Sequence, residues 1–291
     1  MLSIDTELCT GCKRCLEVCP DYVFSIDSSN NNRIIIRYPE HCCSCGHCVS
    51  ICPESAVLHE KLPENTFSEI QGGQVDEEDL KNLITGRRSI RKYKRKHVPE
   101  DLIQQLVDCG IHAGTGGNVQ SEDFIIVQNQ TFLRKLETIV IDSLWNGGIK
   151  FFTGKGVINK ILQIKFGLVL SYQYGKYNKI IKRRRENNDL DGMVFRGAPV
   201  VIIVHGLKEN TLAQTNAALA LRNIELMAQT MGLGTCYSGF LVSASEMKQK
   251  KINRCIGLDN SRQVAGALMM GYPKYKYSQR LPRNERDVRW I

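Results

Sequence analysis

The chain has 291 residues, of which 42% are hydrophobic and 24% charged, and this composition is typical of a folded globular protein. It excludes a disordered tail or a fibre. No stretch approaches the roughly 18 to 20 consecutive apolar residues that a membrane helix needs, and the first residues lack both the basic start and the apolar run of a signal peptide. We therefore expect a cytoplasmic protein without a transmembrane segment.

Charge is unevenly distributed along the chain. The formal net charge is +9, yet residues 1–60 hold 4 Lys and Arg against 8 Asp and Glu, while the remainder holds 35 against 22. A basic excess can indicate nucleic-acid binding, but no zinc-finger, helix-turn-helix or RNP-type pattern accompanies it, so we expect no nucleic-acid partner. An acidic protein partner or a phosphate-bearing cofactor accounts for the sign equally well.

Nine of the twelve cysteines lie in two runs, and eight of these nine share a matched spacing. The runs read CTGCKRCLEVCP from Cys9 and CCSCGHCVSICP from Cys42, and both fit C-x2-C-x2-C-x3-C-P. Without a signal peptide, such thiols indicate metal chemistry rather than disulfides. Zinc is the plainer alternative, but zinc ribbons pair two C-x2-C knuckles rather than two runs of four.

Residues 1 to about 60 resemble the bacterial two-cluster ferredoxins. The resemblance implies two 4Fe-4S clusters with crossed ligation, in which each cluster takes three thiolates from one run and the fourth from the other. The implied ligands are Cys9, Cys12, Cys15 and Cys52 for cluster one and Cys42, Cys45, Cys48 and Cys19 for cluster two. YVFSIDSSNNNRIIIRY then predicts a strand, a turn and a second strand, and AVLHE predicts a last strand.

The other thiols and one histidine fall outside this ligand pattern. We interpret Cys43 as a spare thiol, and we favour an orienting or solvent-facing role for His47 over ligation. The scattered residues Cys109, Cys236 and Cys255 are most simply buried small hydrophobes.

The rest of the chain predicts a second, larger domain. Residues 61–78 lack a clear period and predict a linker between a ferredoxin domain at 1–60 and a domain at 79–291. DEEDLKNLI predicts a helix with Leu80, Leu83 and Ile84 on one face. HVPEDLIQQLVDCG predicts a helix with Pro99 in its first turn, and a long helix is predicted from Thr211 to Met231. SASE at Ser243 predicts a capping box. Strands are predicted at DFIIVQN, APVVIIVHG and RQVAGALMMGYP, which gives a layered fold of helices and strands.

Four segments of this domain carry residues suited to a phosphate-bearing flat ligand. RRSIRKY supplies guanidinium and hydroxyl donors for phosphate, although a basic tripeptide is often only a solvated surface. TGGNVQ places glycines before a strand, where the backbone can approach a ligand closely. The same residue types also occur in an ordinary tight loop. GTCYSG is a third small-residue loop, and RLP brings a cation near the end of the chain.

In their order and spacing these segments resemble the nitroreductase family of FMN flavoproteins, over roughly residues 80–291. The resemblance implies an α+β fold with a central, mostly antiparallel sheet flanked by helices, and a homodimer with FMN at the interface. It assigns the FMN phosphate to Arg87, Arg88, Ser89, Arg91 and Arg280 and the lining of the flavin bound by the neighbouring subunit to Thr115, Gly116, Asn118 and Gln120. Beside flavin N5 it places the loop Thr235, Cys236, Tyr237, Ser238 and Gly239, with no obligatory acid or base side chain.

Two positions of the small loop differ from that family's pattern. Gly114 stands where the family has Pro, and Ser121 and Glu122 replace the Pro and Trp of its N-x-Q-P-W ending. These differences concern how the loop packs and leave the phosphate arginines unaffected.

The whole chain resembles the ferredoxin-nitroreductase fusions of anaerobic bacteria and archaea. This implies an iron-sulfur flavoprotein oxidoreductase that passes electrons between clusters and FMN and on to a nitro, quinone-like or other conjugated small-molecule acceptor. Donors compatible with this are NAD(P)H and a reduced acidic ferredoxin; the chain has no G-x-G-x-x-G fingerprint, which favours a protein donor. One alternative is an electron-transfer relay without its own small substrate. Another is a cluster-based redox sensor, but that hypothesis leaves the long second domain unexplained.

A basic insertion is predicted at residues 150–190. Between 150 and 185 it holds ten Lys and Arg and no Asp or Glu, and its apolar residues recur at helical spacing, which predicts one or two amphipathic helices. It is interpreted as a docking face for an acidic ferredoxin or for the chain's own cluster domain, as a membrane-surface helix, or as a lid with one solvated side.

Overall fold

A computed structural model describes residues 1–29, 33–70, 72–73, 75–146, 157, 161, 164 and 180–291. The chain divides into two compact units, each described separately below. Unit 1 comprises Met1–Gln74 together with Thr115–Gln120, and unit 2 comprises Val75–Gly114 and Ser121–Ile291.

Unit 1 is built from two antiparallel strand pairs and two short helices. Its elements are β1 (Leu2–Ile4), α1 (Arg14–Val18), β2 (Phe24–Asp27), β3 (Arg33–Ile36), α2 (His47–Ser50) and β4 (Val57–His59), with 3-10 turns at Pro39–His41, Glu64–Thr66 and Gly116–Asn118. β1 pairs with β4 and β2 with β3, so the predicted strand-turn-strand and the predicted last strand are both confirmed.

The core of unit 1 is small and includes the cluster-run cysteines. Leu2, Val23, Phe24, Ile34 and Val57 are buried together with Cys15 and Cys48, the third cysteine of each run. The apolar side chains that alternate along these strands therefore enclose the cysteine-bearing segments.

Unit 2 contains one antiparallel sheet with helices against it. Among the described residues its helices include α3 (Glu77–Gly86), α4 (Glu100–Ile111), α5 (Gln130–Leu144), α6 (Ala213–Thr230) and α7 (Gly239–Ile256), and its strands are β5 (Asp123–Val127), β6 (Val200–Leu207), β7 (Gly234–Tyr237) and β8 (Arg262–Gly271). The strand order is β5-β6-β8-β7, and every neighbouring pair is antiparallel. The predicted α+β class with an antiparallel sheet is confirmed.

The central strand β6 shows why the sheet is covered on both faces. Val200, Ile202 and Val204 pack in a core with residues of α4 and α6, whereas the alternating Val201 and Ile203 pack in a core with residues of α5 and α7. Successive side chains of a strand point to opposite faces, so a continuous apolar run can fill two cores at once. Unit 2 is therefore a helix-sheet-helix arrangement.

Two local predictions for the helices are wrong. Ser243 lies inside α7, which begins four residues earlier at Gly239, so SASE is not a capping box. Pro99 occupies the N-cap position of α4 rather than its first turn. α3 does begin as predicted, and the carboxylate of Asp76 caps it by accepting the backbone N–H of Asp79 at 2.9 Å.

The predicted amphipathic helices of the basic insertion fall mostly outside the described residues. Of the apolar residues on which that prediction depends, Ile161 and Ile164 are described, and both are helical and exposed. Residues 180–186 are also helical.

Candidate functional site

Four thiols from both cysteine runs line one cavity of unit 1. They belong to Cys9, Cys12, Cys15 and Cys52. The first run bends around this space because Gly11 and Lys13 adopt left-handed backbone, with φ of 70° and 67°. The backbone N–H of Cys9 donates to the carbonyl of Asp5 at 3.0 Å, which holds the start of the loop.

A second cavity of unit 1 is lined by the four remaining ligand candidates. They belong to Cys19, Cys42, Cys45 and Cys48. The left-handed residues here are Ser44 and Gly46, with φ of 53° and 77°, so the second run follows a similar bend. The two cavities thus separate the thiols into the crossed sets that the ferredoxin resemblance implies, while the binding of clusters stays a prediction.

The arrangement suits clusters better than single ions. Within the described part of the chain, no group of three or more His, Cys, Asp or Glu side chains converges in a way that would hold one metal ion. Thiols that surround a cavity instead are compatible with a cubane, in which four cysteines bind four different irons. Burial raises the pKa of Cys15 and raises that of Cys48 to about 11, so these thiols need a bound cation to become thiolates at neutral pH.

The remaining cysteines and His47 have distinct surroundings. A hydrogen bond with Asp21 raises the pKa of Cys43 to about 12, which keeps that thiol neutral. The side chain of His47 is exposed, as a solvent-facing role requires. Cys236 is buried, whereas Cys109 and Cys255 are only half-buried, so the expectation that all three are buried is wrong for these two.

His59 is a functional candidate that sequence reasoning missed. It is buried at the end of β4, lines the second cavity, and places its Nε2 3.7 Å from the Sγ of Cys42. The available signal was the alternation of AVLHE, which directs Val57 and His59 to the same side of the strand.

The arginine segment of unit 2 is held against β7 and the end of β8. The backbone N–H of Ile90 donates to the carbonyl of Thr235 at 2.8 Å, and Lys94 N–H donates to Tyr272 O at 2.8 Å. Arg87 and Arg88 therefore lie between the end of α3 at Gly86 and this anchored stretch of backbone.

Glu225 of α6 organises this region and was also missed from the sequence. Its Oε1 lies 3.3 Å from Arg87 Nη1 and accepts the hydroxyl of Thr235 at 3.3 Å, and its Oε2 lies 2.6 Å from Arg222 Nη1. Glu225 and Arg87 are 14% and 21% exposed, so the pair is partly desolvated. An interior helix position of this kind carries no motif, which is why the sequence alone did not identify it.

A basic cavity of about 520 Å³ opens beside these residues. Its lining is rich in positive charge, which comes from Arg87, Arg88, Lys94, Lys274 and Lys276. Within the described residues, the buried Nε of Arg88 has no hydrogen-bond partner, although its other nitrogens donate to Arg87 O at 2.9 Å and Gln279 O at 2.8 Å. A buried guanidinium N–H without a partner is costly, and an anionic ligand would satisfy it.

Other predicted cofactor residues of unit 2 lie around this region. Arg280 donates to Asn82 Oδ1. Arg280 directly follows Gln279, whose carbonyl accepts a hydrogen bond from Arg88. The hydroxyl of Ser89 accepts a hydrogen bond from Arg87 at 3.4 Å. Arg91 is exposed, and its guanidinium donates to the carbonyl of Ser89 at 3.5 Å.

The loop beside the predicted flavin edge follows Thr235 on β7. Thr235 and Cys236 are buried, Tyr237 is 47% exposed, and Gly239 begins α7. The hydroxyl of Ser238 is buried without a hydrogen-bond partner among the described residues. The loop thus presents one exposed ring and one unsatisfied hydroxyl.

The small-residue loop Thr115–Gln120 belongs to unit 1. Asn118 Nδ2 donates to the carbonyls of Cys43 at 3.1 Å and Ser44 at 3.0 Å, and Gln120 Nε2 donates to Asn118 Oδ1 at 2.8 Å. Thr115 Oγ1 in turn accepts the backbone N–H of Gln120 at 3.1 Å. The predicted flavin-lining residues Thr115, Gly116, Asn118 and Gln120 are thus separate from those of unit 2, a grouping that the sequence did not predict.

Fold and cavities together define an α+β protein with two thiol-lined cavities in one unit and a basic cavity in the other. The nitroreductase family model matches residues 84–272, and the chain belongs to that family. A 4Fe-4S dicluster domain model matches residues 1–68. The predicted fusion of a two-cluster ferredoxin domain with a nitroreductase domain is confirmed.

Curated relatives resemble parts of the chain. A protein of Methanothermobacter thermautotrophicus with the provisional name NADH dehydrogenase/NAD(P)H nitroreductase is 34% identical over 67 residues, which cover 23% of this chain and 35% of that protein. An NADPH-dependent oxidoreductase of Staphylococcus aureus (strain USA300) is 24% identical over 165 residues, covering 56% of this chain and 54% of that protein. The chain thus spans about a third to a half of the length of these relatives.

Solved structures share the fold of unit 2. A nitroreductase with bound FMN from Bacteroides fragilis superposes with a TM-score of 0.55 at 19% identity, covering 75% of this chain and 99% of that chain. A nitroreductase with bound FMN from Desulfitobacterium hafniense gives 0.53 at 18% identity, covering 72% and 98%. Among the described residues, no helix is both long enough and apolar enough to cross a membrane.

Proposed function

We propose that this chain is an FMN-dependent oxidoreductase in which two 4Fe-4S clusters exchange electrons with FMN, which reduces a nitro, quinone-like or other conjugated acceptor. The observation that carries the proposal is the basic cavity with the unsatisfied Nε of Arg88, in the same chain as two four-thiol cavities. The FMN-bound nitroreductases that share the fold support the choice of ligand.

The side chains of the basic cavity fit a flavin phosphate. Arg88 offers a buried N–H, Arg87 is oriented by Glu225, and Lys274 adds a third cation, which together match the charge of a phosphate. Ser89, Arg91 and Arg280 complete the proposed phosphate set. Bound FMN would supply hydride and single-electron chemistry at its ring.

The ring of that flavin is proposed to lie along the loop after Thr235. The exposed ring of Tyr237 and the unsatisfied hydroxyl of Ser238 are available to orient it, and Gly239 lets it approach the backbone. Cys236 completes the proposed flavin-lining set of unit 2. Thr115, Gly116, Asn118 and Gln120 are proposed to line the flavin bound by the neighbouring subunit.

The eight thiols of unit 1 are proposed to hold the two clusters in crossed ligation. Cluster one takes Cys9, Cys12, Cys15 and Cys52, and cluster two takes Cys42, Cys45, Cys48 and Cys19. Placing three thiols of each set on one bent loop fixes their spacing before the metal arrives, and the fourth thiol ties the two runs together.

NAD(P)H and reduced ferredoxin remain the two proposed electron donors. The relatives named for NADPH and NAD(P)H support a nicotinamide donor. The basic balance of residues 61–291 supports an acidic ferredoxin, which opposite charge would attract.

The active protein is proposed to be a homodimer in the cytoplasm. α3 supports the dimer because none of its residues is buried, and Leu80 and Ile84 remain 42% and 43% exposed. An amphipathic helix normally buries its apolar face against a partner.

A second candidate function is an electron relay in which FMN discharges to a partner protein rather than to a small molecule. One observation favours the relay hypothesis. In unit 1, the side chain of Asn118 donates hydrogen bonds to the carbonyls of Cys43 and Ser44, which lie between two proposed ligands of cluster two. A flavin-lining loop bound to the cluster segment in this way would suit electron transfer. The enzyme hypothesis is preferred because the relatives carry the names NAD(P)H nitroreductase and NADPH-dependent oxidoreductase.

An anaerobic titration of the reconstituted full chain tests both candidates. NADH, NADPH and reduced ferredoxin are added separately while flavin and cluster absorbance are followed, and a nitroaromatic is then introduced. Bleached FMN that the nitroaromatic reoxidises supports the enzyme and identifies its donor. Reduced FMN that ignores small acceptors but discharges to an oxidised ferredoxin supports the relay, and a purified chain that binds no FMN contradicts both.

A further inference from the structure

His59 lies inside unit 1 beside one thiol set only. It is 8% exposed, it pairs with Leu2 across β1 and β4, and it lines the cavity of Cys19, Cys42, Cys45 and Cys48. The side chains around the other cavity include no histidine among the described residues.

The hydrogen bonds of His59 define which ring nitrogen carries the proton. Nδ1 accepts the backbone N–H of Lys61 at 3.2 Å, so the proton of the neutral ring is on Nε2. Nε2 is 3.7 Å from Cys42 Sγ, within range of an N–H···S hydrogen bond.

The internal repeat of unit 1 provides a reference for this position. His59 comes seven residues after Cys52, and Ile26 comes seven residues after Cys19, the equivalent last cysteine of the first run. Each lies on the strand that follows its run, β4 and β2. Isoleucine cannot donate a hydrogen bond. At this position of the repeat, only the second half therefore carries a side-chain donor.

We propose that His59 is a positioning and tuning residue that raises the reduction potential of cluster two above the value it would have without the Nε2–H donor. This inference rests on the proposed ligation of clusters in unit 1. One electron entering a cluster adds negative charge to its sulfurs and thiolates, and a hydrogen-bond donor stabilises that charge. No proton moves, because Nε2 keeps its hydrogen in both states. The donor therefore makes an electron on cluster two more stable than it would be without His59.

The test is an anaerobic redox titration of the full chain with both clusters assembled, reduced by dithionite and followed by EPR. His59→Ile installs the residue that the repeat itself uses, and His59→Gln keeps an N–H donor near the position of Nε2. Leu58→Gln, one residue earlier on the exposed face of β4, is the matched control.

His59→Ile is expected to decrease the ratio of reduced to oxidised cluster at a given potential about three- to tenfold for one cluster, which corresponds to a lowering of about 30 to 60 mV at 59 mV per tenfold for one electron. The other potential stays unchanged, His59→Gln restores most of the loss, and Leu58→Gln changes neither. A nitrogen coupling in the pulsed EPR spectrum of that cluster is expected to disappear with His59→Ile.

The inference is overturned if His59→Ile leaves both potentials in place, if both move equally, or if His59→Gln lowers the potential as much as His59→Ile. Iron content separates this failure from that of the proposed function. A full chain without iron contradicts the cluster proposal itself, and the inference with it, whereas eight irons per chain with unmoved potentials contradicts only the role of His59.

Discussion

Arg88 combines a firmly held guanidinium with one nitrogen that has no hydrogen-bond partner among the described residues. Two of its nitrogens are used on backbone carbonyls, which fixes the plane of the guanidinium, and the third is buried without a partner among the described residues. Under the proposed function, this nitrogen is available to the FMN phosphate.

Replacing Arg88 is expected to weaken FMN binding selectively. Arg88→Gln should increase the FMN dissociation constant about 10- to 100-fold, because a charge-assisted hydrogen bond contributes about 1.5 to 3 kcal/mol. Flavin fluorescence quenching on titration measures the constant. The control is Arg95→Gln, because Arg95 is exposed and lies seven residues after Arg88 along the chain. This variant should leave the FMN dissociation constant within about twofold of the wild type. Equal losses in the two variants would contradict a specific phosphate contact.

His205 is expected to make the stability of unit 2 depend on pH. Burial, and then the charge of Arg262, lower its pKa below 6.5, and Arg262 Nη1 lies 2.9 Å from His205 Nδ1, with Asp123 and Asp259 nearby. Because the unfolded chain binds the proton more readily, the free energy of unfolding should be fully present above pH 6.5 and decrease as the pH falls below it.

The measurement is denaturant unfolding between pH 7.5 and 5.5, followed by fluorescence of Trp145 and Trp290, both of which lie in unit 2. The slope for one proton is at most about 1.4 kcal/mol per pH unit. His205→Asn keeps an acceptor for Arg262 without titrating and should flatten the dependence, whereas exposed His97→Asn should not. A dependence that survives in His205→Asn would assign it to another group.

At the scale of elements, the tight contact between β7 and the arginine segment depends on a missing side chain. A Cβ on Gly234 would lie 2.4 Å from Ile90 Cγ1 and 2.8 Å from Pro273 Cγ. Ile90 cannot move aside freely, because its backbone is bonded to Thr235.

Gly234→Ala is therefore expected to lower the free energy of unfolding by about 1 to 3 kcal/mol, as overpacking does in other cores. Chemical denaturation measures this loss of stability. The FMN dissociation constant should also rise in Gly234→Ala, because Arg87 and Arg88 lie shortly before Ile90 in the chain and would shift with it. Gly86→Ala, where an added Cβ meets no atom within 4 Å, is the control and should be neutral or slightly stabilising. Unchanged stability in Gly234→Ala would mean that the segment shifts without cost.

Elements with a strong local signal were predictable, and those that depend on context were not. The apolar runs around Ile202 and Leu268 predicted buried strands because both faces of β6 and β8 are covered. SASE failed as a capping box because α7 had already begun at Gly239, where the chain leaves β7, and a short motif cannot reveal the preceding turn. The resemblance to two-cluster ferredoxins implied the two crossed thiol sets, and the two cavities group the thiols in the same way. Glu225 acts through tertiary contacts that no motif records, and His59 had only the alternation of its strand as a signal.

At the scale of the whole molecule, α3 makes the proposed dimer testable. Ile84→Glu should convert a species of about twice 32.9 kDa into one of that mass, because a buried charge without a partner disfavours the interface. Light scattering after size exclusion measures the mass. Lys81→Ala, on the same helix beside Glu78, is the control and should leave the mass unchanged. A wild-type chain that is already monomeric would contradict the dimer.

Unit 1 is discontinuous in sequence, and this has a consequence for how the protein is made. The last ligand cysteine, Cys52, is synthesised about 70 residues before Gln120 completes the segment whose Asn118 holds the carbonyls of Cys43 and Ser44. At roughly 5 to 20 residues per second, that interval lasts about 3 to 14 seconds. During translation all eight proposed cluster thiols therefore leave the ribosome before the bonds from Asn118 can form, so for that interval the second cysteine run lacks the contact that later holds Cys43 and Ser44.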